Sequence, residues 1–128
     1  MTRDIIATDK APGAVGPYSQ GIRTDQLVFT AGQIPIDPAT GSLVGGPIED
    51  QTRRVLDNVK AVLEAAGTGL DRAVKMTVFL TDFNNFQRMN AVYAEYFPDS
   101  PPARSAVQVS ALPLGAEIEI EAVALLKT

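Results

Sequence analysis

The 128-residue chain contains no cysteine and no histidine. Without Cys there is no disulfide, no thiolate nucleophile and no zinc–thiolate site. Without His, a Ser-His-Asp triad, a His-ligated metal and an imidazole general base are all excluded. Any chemistry therefore falls to carboxylates, Tyr, Arg, Lys, hydroxyls, backbone amides and water, and we expect neither metal nor cofactor. Long apolar runs are missing too. None approaches the roughly 18 residues of a membrane span, and the N-terminal stretch Met1 to Thr8 has no signal-peptide h-region. A cytoplasmic location is expected. Positive charge is scarce: 11 Lys and Arg against 15 Asp and Glu leave a net charge of −4. The basic residues are scattered, with only Arg53 and Arg54 adjacent, so no clustered surface awaits a phosphate backbone. That pair reads as a solvated helix face, and no nucleic acid or membrane partner is expected.

What is present suits an ordinary globule. The chain is 45% hydrophobic and 20% charged, enough to bury a core in one domain spanning residues 1–128. Asp4 to Thr8 reads as a short edge strand, and Ala11 to Ser19, with two Pro and two Gly, as a loop. Leu27 to Ala31 is rich in strand formers and ends at Gly32. Pro35 to Gly46 is turn chemistry, with a tight turn at Pro38-Ala39-Thr40-Gly41. From Ile48 the period changes. Thr52, Val55, Leu56, Val59, Val62, Leu63 and Ala66 follow helical spacing, and Gly67 is placed to stop the helix.

Ala73 to Leu80 then alternates, putting Val74, Met76, Val78 and Leu80 on one face. Asp82 is placed to cap a second helix with Phe86, Met89, Tyr93 and Phe97 on its apolar side. Pro98 ends it, and strands follow near Arg104 to Val109 and Glu117 to Leu125. The order strand–strand–strand–helix–strand–helix–strand–strand predicts an α+β layered domain, two helices covering one face of a mixed sheet. The other face carries Phe79, Val123 and Leu125 with no helix left to shield them. Burial against another subunit is expected.

Four features offer chemistry. Arg104 begins a strand after a Pro-rich turn, and its planar fork of donors matches a carboxylate; an exposed strand-end Arg or a plain salt bridge is the alternative. Glu119 and Glu121 share the strand face opposite Ile118 and Ile120. On a solvated face they are merely its polar side; at a subunit boundary, a desolvated Glu can position or activate water. Tyr18 sits in Gly16-Pro17-Tyr18-Ser19-Gln20-Gly21, a shaped loop able to present its ring or only to pack it. Gly32, after Ala31, permits close backbone approach to a ligand, or simply a bulge. Lys10, Lys60, Lys75 and Lys127 show no desolvating apolar setting, which argues against a Schiff-base mechanism.

Taken in order, the segments resemble the Rid (YjgF) family of reactive intermediate deaminases. The likeness runs through Gly16-Pro17-Tyr18, Gln20-Gly21, Gly32-Gln33-Ile34-Pro35, Asp57-Asn58-Val59-Lys60 and Glu64-Ala65-Ala66-Gly67. It continues through Lys75-Met76-Thr77-Val78-Phe79, Asn90-Ala91-Val92-Tyr93, Pro102-Ala103-Arg104-Ser105, Leu112-Pro113 and Ile118-Glu119-Ile120-Glu121-Ala122. It covers nearly the whole chain. The resemblance implies a chorismate-mutase-like fold, a homotrimer with clefts between subunits, and hydrolysis of enamine or imine acids such as 2-aminoacrylate and 2-iminobutanoate to 2-keto acids and ammonia.

It also implies that Arg104 holds the substrate carboxylate, that Glu119 associates with water, and that Tyr18 and Gly32 line the cleft. Members of the family commonly carry Ser where this chain has Ala31, and often Cys where it has Ala106. The lost hydroxyl removes one polar contact, whereas the backbone amide at Ala106 remains. A regulatory protein binding carboxylates or keto acids without turnover is the alternative reading. A third is an RNA-directed role, which the acidic balance disfavours.

Overall fold

The computed structural model describes residues 2–126. Six strands form one mixed sheet: β1 (Asp4–Ile6), β2 (Gly21–Arg23), β3 (Leu27–Thr30), β6 (Ala73–Leu80), β7 (Ala103–Gln108) and β8 (Ile118–Leu125). Their spatial order is β1-β2-β3-β8-β6-β7. All pairs are antiparallel except β6 with β7. That parallel pair needs a crossover, which helix α2 (Phe86–Tyr96) provides. Helix α1 (Ile48–Ala65) lies beside α2 on the same face. A two-stranded ribbon of β4 (Ile36–Asp37) and β5 (Ser42–Leu43) closes around the expected turn at Pro38-Ala39-Thr40-Gly41.

Helix α1 forms for the reason its spacing suggests. Val55, Leu56, Val59, Val62 and Leu63 are all fully buried, each stabilising the fold by about 1.5–3 kcal/mol. Leu56→Ala alone would cost about 2–5 kcal/mol. At its end Gly67 adopts φ +92°. The Gly67 amide donates to Glu64 O and the Thr68 amide to Leu63 O, both at 3.0 Å. These two bonds satisfy carbonyls the helix leaves open, in a left-handed closure that suits glycine.

Met76, Val78 and Leu80 of β6 and Ile118, Ile120 and Ala122 of β8 face the helices, buried. Val74 does not join them. The β6–β8 register slips between Ala73 and Lys75, so Val74 is bulged outward and stays 40% exposed. Asp82 caps a 3-10 turn at Phe83–Asn85, accepting from the Asn84 amide, and α2 follows directly from that turn. The short β2 is a strand the sequence pattern did not locate.

The opposite sheet face is open, as expected. Phe29, Val107 and Leu125 are exposed on it, with Phe79 and Val123 partly so. Arg53 pairs with Asp50 and Glu95 on the helix surface, as expected of a solvated face. No helix among the described residues is long and apolar enough to cross a membrane.

Candidate active site

Between Phe29↔Val123 and the isolated bridge Gln33↔Ile120, three residues (Thr30, Ala31 and Gly32) run past two of β8 (Glu121 and Ala122). The extra residue makes a β-bulge that turns Ala31 and Gly32 out of the ladder. Thr30 holds one side of it, accepting from the Ala122 amide at 3.0 Å, while the Ala31 amide donates to Gln20 O at 2.8 Å. The result is a recess beside Glu119. A Cβ at Gly32 would overlap the Glu119 carboxylate. Glycine leaves the space that the Glu119 side chain occupies, and any larger residue would require that side chain to shift; the φ there is not left-handed.

A cleft of about 720 Å³ opens over this recess. Tyr18, Ala31, Gly32 and Glu119 line it together, with Ile34 and Leu114 among its apolar walls. Among the described residues, Glu119 is the only charged side chain lining it. Burial raises its pKa above the ordinary carboxylate value, and the nearby Glu121 charge adds to the effect. A carboxyl so tuned exchanges its proton nearer neutrality than a solvated one, as a general acid–base must.

Second-layer contacts place the walls. Gln20 is a buried amide that folds the loop carrying Tyr18. Its Oε1 accepts from the Thr8 amide, and its Nε2 donates to the carbonyls of Thr8, Ala11 and Pro12 at 2.7–3.3 Å. The Tyr18 hydroxyl accepts from the Val15 amide at 3.3 Å. Asn58, buried in α1, donates to the carbonyls of Ile34 and Ile36 and pins the opposite wall. At the rim, Leu114 stands in the left-handed region at φ 58° and is 71% exposed. That conformation is uncommon for a residue with a branched side chain, and such outliers gather at ligand clamps. Gln20 and Asn58 stood inside the recognised segments, but nothing local marked them as supports. The left-handed Leu114 had no sequence signal beyond the neighbouring Leu112-Pro113.

Arg104 and Ala106 lie elsewhere in the chain. In the β6 register Met76 pairs with Arg104 and Phe79 with Glu119. Arg104 therefore faces the helices while Glu119 faces the open side, their Cα atoms about 14 Å apart from two strand spacings and three residues of rise. Neither simple alternative for Arg104 is seen among the described residues, where it is half-buried and not ion-paired. It rests 4.8 Å from the Tyr93 ring centre and 5.5 Å from that of Phe86, and donates to Asn90 Oδ1 at 2.6 Å. The buried Tyr93 hydroxyl has no hydrogen-bond partner among the described residues.

Lys10 and Lys60 are exposed, and Lys75 donates to Ser105 Oγ at 2.8 Å on the open face. Lys127 lies outside the described residues. No group of three or more Asp and Glu among the described residues is arranged to hold a metal ion.

The model of one protein family, described as Endoribonuclease L-PSP, matches residues 8–126. The chain belongs to this family, the YjgF/Rid family. A RutC family protein of Pyrococcus abyssi is 55% identical over 124 residues, covering 97% of this chain and 98% of its own. Human 2-iminobutanoate/2-iminopropanoate deaminase is 46% identical over 125 residues, covering 98% of this chain and 91% of its own. Among solved structures, E. coli TdcF with bound serine has a TM-score of 0.93 at 46% identity, covering 97% of this chain and 99% of that one. The expected family and α+β fold are both found.

Proposed function

We propose that the protein hydrolyses reactive enamine and imine acids, including 2-aminoacrylate and 2-iminobutanoate, to 2-keto acids and ammonia. The observation that carries the reading is Glu119, a half-buried carboxyl of raised pKa and, among the described residues, the only charged side chain in a mostly apolar cleft. The names of relatives support it, since the human protein is called a deaminase of these imines. The amino acid bound to TdcF is a carboxylate of similar size to the proposed substrates.

The chemistry asks little of a protein. An enamine gains a proton on carbon and gives up one from nitrogen to become an imine, which is already electrophilic. Glu119 takes a proton from water as its oxygen bonds to the imine carbon, giving a carbinolamine. The same proton is returned to nitrogen. The hydroxyl proton then passes to the nitrogen as the C–N bond breaks, leaving keto acid and ammonia. Holding the carboxylate beside a placed water supplies the remainder through orientation.

Arg104 is the proposed carboxylate clamp, and a single chain holds it too far from Glu119 to share a small substrate. We therefore read the catalytic unit as an assembly, a homotrimer in keeping with the resemblance, in which a neighbouring copy brings its Arg104 and Ala106 amide to this cleft. Apolar Phe29, Phe79 and Val107 on the open sheet face support contact between copies, as does the distance itself. The cell interior, where enzymes that release such imines work, is the expected location.

The name of the family model raises RNA cleavage as a second reading. Arg23, Arg53 and Arg88 are each tied to carboxylates, which leaves little of a phosphate-binding track and favours the first reading.

The test couples a serine or threonine dehydratase to the purified protein, with semicarbazide trapping free imine. Faster keto-acid formation with wild type and none with Arg104→Ala supports the assignment. An unchanged rate with both would turn the cleft into a binding site.

A further inference from the structure

Arg104 is surrounded by a half-shell with no counter-ion. Phe86, Asn90 and Tyr93 occupy successive turns of α2, so one stripe of that helix meets the guanidinium. Two residues supply aromatic faces and the third a neutral amide oxygen at 2.6 Å. The ion pairs among the described residues do not include Arg104. Arg88, on the same helix, shows the contrast: it donates to both carboxylate oxygens of Glu49 at 2.7 and 3.0 Å.

The choice of Asn at position 90 has a chemical meaning. An Asp there would have nearly the same shape and offer the same acceptor oxygen. It would also place a negative charge against the guanidinium and satisfy it within the chain. Asn accepts one of the five donors Arg carries and leaves the cation uncompensated. A partly buried cation without a counter-ion is costly unless an anion arrives.

We propose that Asn90 is a positioning residue, a neutral bracket that holds the Arg104 guanidinium over the Tyr93 and Phe86 rings and keeps its charge free for the substrate carboxylate. This rests on the clamp role given to Arg104 above. Its consequence is an inversion of ordinary expectation. The isosteric change Asn90→Asp should harm ligand binding more than truncation to Ala, although Asp keeps the hydrogen bond and Ala loses it.

The experiment compares wild type, Asn90→Asp and Asn90→Ala as full chains in their native assembly. Titration calorimetry with 2-oxobutanoate reads carboxylate affinity without turnover, thermal melts read the fold, and the dehydratase-coupled assay gives KM and kcat. Asn90→Asp should melt at or above Asn90→Ala yet bind 2-oxobutanoate at least about tenfold more weakly than wild type, and more weakly than Asn90→Ala. KM should rise further than kcat falls. If affinity simply follows the melting temperature, with Ala the worst on both, the role is structural and the proposal is overturned. Equal affinity in all three proteins overturns it too. If the affinity order appears while wild type turns over no imine, the inference stands and the deaminase reading fails. If wild type does not bind 2-oxobutanoate at all, clamp and bracket fall together.

Discussion

The carboxylate of Glu119 occupies the space that any side chain at position 32 would need: the Cβ of an alanine there would overlap it. Gly32 is thus the missing wall of a recess, and Glu119 fills what it leaves. Replacing Gly32 by Ala should push the carboxylate aside. We expect kcat/KM to fall about 100-fold, the scale of a one-ångström misplacement, against a stability loss of about 1–3 kcal/mol. Steady-state kinetics beside a urea titration will separate the two. Wild-type kinetics in this variant would remove Glu119 from the catalytic geometry.

Glu119 gives a pH dependence whose sign follows from its burial. Its pKa in the fold is raised above the ordinary 4.5, so the neutral carboxyl is the form the fold prefers. Its favourable contribution is present below the ordinary value and is lost as pH rises through the folded one. Glu119→Gln should therefore melt above wild type at pH 7.5. The gap should close as pH falls toward 4.5, while activity is lost throughout. A variant that melts lower at pH 7.5 would show that the carboxylate is stabilised in the cleft.

Gln20 supports the Tyr18 loop from within. Gln20→Ala leaves buried carbonyls of Ala11 and Pro12 without the donor they now share, at an expected cost of about 2–3 kcal/mol. Limited proteolysis should then cut within residues 8–18 faster than in wild type. Unchanged protection there would mean the loop is held by other contacts.

The open sheet face is tested by Val107→Asp. Val107 is 43% exposed in the single chain, so an added charge costs the lone fold little. In a seam between copies it is desolvated and unpaired. Light scattering should find a smaller species with a native circular dichroism spectrum and no deaminase activity. An intact, active oligomer would move the seam to another surface.

Sequence pattern reached some of this architecture and stopped at identifiable points. Helix α1 was legible because its apolar period and Gly67 act locally. Strand β2 was not, since three residues carry almost no periodicity and its form depends on pairing with β1 and β3. Val74 was misplaced because strict alternation cannot anticipate a bulge. For the site, the resemblance named Tyr18, Gly32 and Glu119. Their meeting depends on how β3 passes β8, a long-range register that no local pattern encodes. Arg104 shows the same limit from the other side. Phe86 and Tyr93 were legible as one apolar stripe, but that this stripe receives a guanidinium follows only from the parallel pairing of β6 with β7.

Strand β8 comes last in chain order yet lies in the interior of the sheet, between β3 and β6. During synthesis on a ribosome, the β1–β2–β3 meander and the β6–α2–β7 unit emerge first and have no strand to join them. Each waits with an unpaired edge until residues 118–125 leave the exit tunnel. Folding of the nascent chain is therefore necessarily late, and the emerging edges are where a chaperone would bind or where a stalled chain would aggregate.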